Sequence, residues 1–213
     1  MLSRSRIAQI CLAVLFVFTL VSKAAGPGTR TVWDFSTDKP EEPPKGFTVA
    51  KGMWRVVDDS GNRVLAQLAK SPGDTFNVVL IDATSYRDVG LSVRLKANEG
   101  ERDQGGGVVW RAKDAKNYYI ARFNPLENNF RLYKVVDGVR TMFRSADLAL
   151  PAGWHTLCVK MTGTLMHCTI DGKAPLEFED GTFAEMGKVG LWTKADARTF
   201  FDDLTVQSLE SAP

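Results

Sequence analysis

Cysteine and histidine are scarce in this chain, with three and two among its 213 residues. His155 and His167 fall in one hairpin at a spacing that suggests neither a catalytic dyad nor a metal pair. No His/Cys cluster of the kind that holds zinc is present. Nucleophile elbow, P-loop and dinucleotide fingerprint are all missing. There is no basic tail or stripe, which excludes nucleic acid as the expected partner. Internal repeats and low-complexity segments are lacking too. Apart from the amino-terminal run, no segment keeps helical periodicity over about 10 residues, so a helical fold is excluded.

Only one long hydrophobic run exists, Ile7 to Val21, preceded by Arg4 and Arg6 and followed by Ser22-Lys23-Ala24-Ala25. It is shorter than the roughly 20 residues needed to span a bilayer. With a small-residue cleavage site behind it, residues 1–25 read as a secretory signal. Cys11 sits mid-run, away from the cleavage point, which argues against a lipoprotein. The expected mature chain is residues 26–213, exported to the periplasm or outside the cell, with no membrane span and acting as a monomer. Arg4, Arg6 and Lys23 leave with the signal. The 27 basic residues fall to 24 against 25 acidic ones, so the basicity belongs to the signal.

What remains is β-rich. Short apolar runs at about Thr31–Phe35, Met53–Val57, Arg63–Leu68, Phe76–Ile81 and Val89–Ala97 are separated by polar turns. Further runs follow at Val139–Phe143, Trp154–Met161, Leu165–Ile170, Leu176–Phe178, Lys188–Thr193 and Thr199–Val206. Many short strands at regular spacing predict one all-β domain, a sandwich or jelly roll.

The centre of the pattern is Gly105 to Val136, where Lys113–Lys116 and Pro125–Asn128 punctuate three strands. Pairing Ala112 with Asn117 sets Arg111 opposite Tyr118, and pairing Asn124 with Asn129 sets Arg122 opposite Arg131. Side chains alternate along a strand. One face therefore carries Val108, Trp110, Tyr119, Ala121, Phe123, Phe130 and Leu132, the material of a core. The other carries Arg111, Tyr118, Ile120, Arg122, Arg131 and Tyr133, with Asn124 at its edge. Arginines directly opposite one another repel. Either acidic side chains neutralise them or a ligand does. A solvated face with local ion pairs and a groove for a hydroxyl-rich or anionic ligand both remain open. The Gly105–Gly107 run would let backbone lie close to such a ligand. Trp192 and Lys194 share a face of their own strand and join this surface if that strand lies beside the hairpins.

Cys158 and Cys168 flank a turn at Gly163. The natural register sets Cys158 opposite Thr169, on the other face from Cys168, which argues against a disulfide even in an oxidising compartment.

Asp103-Gln-Gly-Gly-Gly-Val-Val-Trp-Arg111, Asn117 to Glu127, Leu132 to Gly138, Trp154-His-Thr-Leu157, Gly187 to Asp196 and Phe201-Asp-Asp-Leu204 resemble one family of exported bacterial proteins. This is the 3-keto-disaccharide hydrolase-like family, also labelled family 16 glycoside hydrolase-like, and the likeness spans nearly the whole mature chain. It implies a concanavalin A-like jelly-roll sandwich with a sugar site on a concave sheet. The expected ligand residues are Arg111, Tyr118, Arg122, Asn124, Arg131, Tyr133, Trp192 and Lys194. Asp103 matches the family pattern and is the candidate catalytic acid or base. Glu99 and Glu101 alternate with it.

The family 16 signature Glu-x-Asp-x-x-Glu is absent; the nearest run, Glu177-Phe-Glu-Asp-Gly-Thr182, lacks its final acid. No cofactor is expected, although Asp34, Asp202 and Asp203 could approach a calcium ion where the first and last strands meet. Three functions stay open. The first is carbohydrate binding and the second is glycoside cleavage. The third is a structural or adhesion module whose groove is filled by its own Asp38–Gly46 loop or by a partner.

Overall fold

A computed structural model describes residues 28–209, so the signal expected at residues 1–25 lies outside the described residues. Among the described residues, fifteen strands form two antiparallel sheets. The first sheet contains β13 (Lys173–Glu179), β12 (Leu165–Ile170), β11 (Trp154–Thr162), β6 (Val89–Glu99), β15 (Arg198–Ser208), β4 (Asn62–Gln67) and β3 (Trp54–Asp59), in that order. Strand β1 (Arg30–Trp33) pairs with the far half of β15. The second sheet runs β10 (Val139–Asp147), β9 (Asn129–Val136), β8 (Asn117–Asn124), β7 (Gly106–Asp114), β14 (Lys188–Lys194), β5 (Phe76–Ile81) and β2 (Phe47–Lys51). This is the all-β jelly-roll sandwich that the strand spacing predicts. The described residues include no helix long and apolar enough to cross a membrane.

The main core lies between the sheets. Val108, Trp110, Tyr119, Ala121, Phe123, Phe130 and Leu132 all point into it, so alternation picks the inward face of the central hairpins correctly. Strand β2 has no counterpart among the strands expected from sequence. The Asp38–Gly46 loop folds along β3 instead of over the other sheet: Glu41 N–H donates to Val56 O, and Val56 N–H to Glu42 O. The β11–β12 register places Cys158 opposite Thr169 and Val159 opposite Cys168. Cys158 and Cys168 are free.

Two local features set up the candidate site. The β9–β10 turn has positive φ at both Asp137 (50°) and Gly138 (83°), the mirror-image geometry that a two-residue hairpin requires. It fixes Arg140 opposite Val135, on the side of the sheet that Tyr133 shares. Strand β14 lies beside β7, pairing Trp192 with Gly107. The indole therefore reaches the outer face of the second sheet, as expected if that strand adjoins the hairpins.

Candidate functional site

Strands β8 and β9 bring Arg122 directly opposite Arg131. Two acids resolve the repulsion. Asp103 Oδ1 lies 3.4 Å from Arg122 Nη2 and Glu127 Oε2 lies 3.2 Å from the same nitrogen. Glu127 also takes Arg131 Nη1 at 2.9 Å and Asn129 Nδ2 at 2.9 Å. Lys194 Nζ stands 3.4 Å from Asp103 Oδ2. Tyr133 Oη accepts from Arg122 Nη1 at 3.2 Å. Arg122, Asn124, Arg131, Tyr133 and Lys194 thus meet Asp103 in one charged network. Burial would strip Arg122 of its proton more readily, but Asp103, Tyr133 and Glu127 outweigh it and raise its pKa. Burial likewise pushes Glu127 up, but Asn129 and Arg122 more than compensate, holding its carboxyl below the usual range.

Asp103 is built as a counter-ion. Its side chain is 2 % exposed; Oδ1 also accepts from Asn124 Nδ2 at 2.9 Å, so both oxygens are engaged. The segment that carries it hangs from Asp196, whose carboxylate accepts the backbone N–H groups of Glu101, Arg102 and Asp103. Glu99 pairs with Arg198 at 2.7 Å, so the alternating acids do not converge on one site. Asn124 is consumed by its turn as well: Oδ1 accepts from Leu126 and Glu127 N–H. A cleft of about 640 Å³ opens beside this segment, between Lys70–Pro72 and Glu99–Arg102. Of its three acids, Asp196, Glu99 and Glu101, the first two already have these partners.

Arg111 belongs elsewhere. The β7–β8 register shifts after Trp110, pairing Asp114 with Asn117, and Arg111 takes φ +46°. The bulge turns the guanidinium away from Arg122 and into the sandwich edge. There it donates to the carbonyls of Arg87 (2.8 Å), Phe183 (2.7 Å) and Gly163 (2.6 Å) and lies 3.4 Å from Asp88. The expected pairing with Tyr118 does not form because two extra residues are accommodated in β7. The glycine run also has a different reason. A Cβ on Gly107 would stand 1.8 Å from Ala121 O, and one on Gly105 2.3 Å from Phe123 O. These glycines let strands approach each other; they do not make room for a ligand.

Beside the network lies a second buried cluster on the outer face of the same sheet, formed by Val78, Leu80, Val109, Ala112, Tyr118, Ile120, Val135 and Trp192, with Phe76 packed against it. Arg140 joins it, a residue that sequence reasoning misses. Its guanidinium carbon lies 4.4 Å from the Tyr133 ring centroid, 5.5 Å from Phe76 and 5.7 Å from Trp192. The arginine spreads over three rings as a cation–π roof. The turn at Asp137-Gly138 is the available signal, because its register sets Arg140 on the Tyr133 side.

Beneath this roof the polar groups are incompletely satisfied. Tyr118 Oη, Arg122 Nε, Arg140 Nη1 and Trp192 Nε1 are buried and make no hydrogen bond of full geometry, although the Tyr118 hydroxyl and the Trp192 indole N–H lie close enough to interact with each other. Burial raises the Tyr118 pKa well above its ordinary value, and the neighbouring Trp192 indole offsets this only in part. A cleft of about 350 Å³ adjoins Phe76, walled by Ala50, Lys51 and Asp74 on one side and by Ala115, Lys116 and Gly138 on the other.

The remaining polar candidates are structural. His155 lies between Asp171 Oδ2 (2.7 Å) and Pro151 O (2.8 Å). Asp34 binds Ser36, while Asp202 takes Asn62 and Asp203 takes Arg94. Among the described residues no three His, Cys, Asp or Glu side chains are grouped to hold a metal ion.

Fold and face together define a concanavalin A-like jelly-roll sandwich. No family model matches the chain, and no curated protein matches it. Solved structures do resemble it. The carbohydrate-binding module CBM66 from Bacillus subtilis gives a TM-score of 0.65 at 21% identity, covering 76% of this chain and 96% of that one. A protein with a galectin-like fold, also from Bacillus subtilis, gives 0.58 at 12% identity over 77% and 90%. A GH43 protein from Bacillus licheniformis gives 0.60 at 14% identity over 82% of this chain and 38% of that one. At these identities the likeness is one of fold.

Proposed function

We propose that this is an exported saccharide-binding sandwich that holds its ligand on the outer face of the second sheet, over Tyr133, Trp192 and Arg140, without cleaving it. The observation that carries the reading is the group of buried polar atoms around the Arg140 roof, in which Arg122 Nε and Arg140 Nη1 have no partner and Tyr118 Oη and Trp192 Nε1 have only each other. Buried polar atoms in native proteins nearly always have partners, so such a cluster asks for a ligand to complete it. Hydroxyl-rich rings suit a face that combines these atoms with aromatic planes. That the fold is shared with a carbohydrate-binding module supports the reading.

Binding is favoured over hydrolysis on electrostatic grounds. Asp103 and Glu127 both lie within 3.4 Å of Arg122 Nη2, the observation that favours a glycoside-cleaving enzyme of the 3-keto-disaccharide hydrolase type. Such chemistry needs one carboxyl group kept protonated as the acid. Glu127 is instead held low. Asp202, a carboxyl that burial does lift, stands on β15 of the opposite sheet.

The test is an oligosaccharide screen by thermal shift, including 3-keto sugars, with product analysis of every hit. A ligand at 100-fold excess over Kd stabilises by about 2.7 kcal/mol. The decisive variant is Tyr118→Phe, which removes a hydroxyl whose side-chain neighbour in the free protein is the Trp192 indole. It should unfold within about 0.5 kcal/mol of the parent yet bind the hit several-fold more weakly. Unchanged affinity would put the ligand elsewhere, and turnover of a hit that Asp103→Asn abolishes would make this an enzyme.

A further inference from the structure

For a face that holds a saccharide, the reading on which this inference rests, the unpartnered atoms specify the ligand more narrowly. Arg122 Nε, Arg140 Nη1 and Trp192 Nε1 carry hydrogens and no lone pair, so they can only donate; Tyr118 Oη can donate too. Among the described residues the one other buried side-chain acceptor without a partner on this side, Asn129 Oδ1, sits beyond Arg131 at the Glu127 end of β9. A neutral sugar hydroxyl brings a donor of its own wherever it accepts. A cluster of donors is completed better by a group that only accepts.

Charge points the same way. The network and its roof hold four cations, Arg122, Arg131, Arg140 and Lys194, against two anions, Asp103 and Glu127. Lys51 and Lys116 line the adjoining cleft, with Asp74 as the single acid there. Both acids of the network are already shared, Asp103 between Arg122 and Lys194 and Glu127 between Arg122 and Arg131. Arg140, by contrast, lies over aromatic faces with no carboxylate in direct contact, and Asp103 and Glu127 act on it only at longer range. A planar two-oxygen anion matches the fork of a guanidinium. The cleft volume of about 350 Å³ falls at the lower end of the range for small-ligand sites, enough for a sugar ring or two.

We propose that the ligand is an acidic saccharide, and that the carboxylate of a uronic acid residue enters beside Arg140 and pairs with it over the Tyr133 and Trp192 rings. In the free protein Arg140 rests on those rings as the lid of its own site. On binding, it exchanges ring contacts for the carboxylate.

The probes are trimers of galacturonate, glucuronate and mannuronate, each beside its methyl ester, titrated calorimetrically into the full mature chain at low salt. The ester keeps the ring and linkage and removes the charge. At least one acid trimer should bind about tenfold tighter than its ester, equivalent to about 1.4 kcal/mol, and the difference should shrink as salt is raised. Arg140→Gln should remove most of that difference, weakening the acid trimer more than its ester. Arg140→Lys, which keeps the charge and loses the fork, should fall between. Circular dichroism and thermal midpoints establish that each variant is folded. Acid and ester binding equally would overturn the carboxylate assignment and leave the saccharide reading standing. Tighter binding of sulfated trimers than of uronates would overturn it as well. If neither these nor any neutral sugar binds, the saccharide reading itself falls.

Discussion

Among the described residues two arginines are almost completely buried, at 2 % exposure for Arg111 and 1 % for Arg122, and they differ in how they are satisfied. Arg111 is surrounded by three backbone carbonyls and one carboxylate, and it ties β7 to the segments around Arg87, Gly163 and Phe183. Arg122 faces two carboxylates and a phenol, and keeps one N–H unpartnered. Similar burial therefore serves two ends. Where the fold itself uses every donor, the arginine is a fastener. Where acids compensate its charge and a donor is left over, the arginine belongs to the face on which we propose that a ligand binds.

Disrupting the fastener should have the largest effect. Arg111→Ala strands three carbonyls and Asp88 at the sandwich edge, at a cost of about 4 kcal/mol, read as a lower urea midpoint. Asp103→Asn should cost less, about 2 kcal/mol, because Glu127 still balances Arg122. Equal losses from the two changes would erase the contrast between them. Low pH probes the Arg111 end by a smaller amount. Near the Arg111 end, burial pushes Asp180 up, but hydrogen bonds from Thr182, Tyr119 and Lys134 outweigh it and bring its pKa to about 2. A carboxyl whose folded pKa lies below its unfolded value of 3.8 stabilises fully above that value and loses this contribution as pH falls through about 2. Partial exposure limits the loss to about 1 kcal/mol. Urea midpoints at pH 5, 3 and 2 should show the decline, and Asp180→Asn should make it shallower.

The conflict between Arg122 and Arg131 is legible in the amino-acid sequence, because strand alternation forces that pairing and like charges need neutralising. Alternation also puts Trp192 and Lys194 on one face. It misplaces Arg111 for a physical reason: a bulge with positive φ at a non-glycine residue leaves no mark in composition, and counting by twos runs straight through it. The glycines suggest room for a ligand in sequence, whereas their neighbours are strand backbones. Arg140 escapes because its role depends on sheet twist. Neighbouring strands rotate by roughly 20–25°, so an edge residue of β10 can reach a ring on β14 with three strands between them. No local pattern encodes that approach.

The lid over this face belongs to an edge strand. In its sheet β10 pairs only with β9, its register breaks between Met142 and Arg144, and Val139 and Met142 are exposed. Such strands open locally at low free energy, long before the whole domain unfolds. The amide protons of β10 should therefore exchange with solvent faster than those of β8 or β7. A ligand that fixes Arg140 should slow that exchange along β10 more than anywhere else in the sheet. The strength of binding would then be written in the hydrogen-exchange protection of one marginal strand.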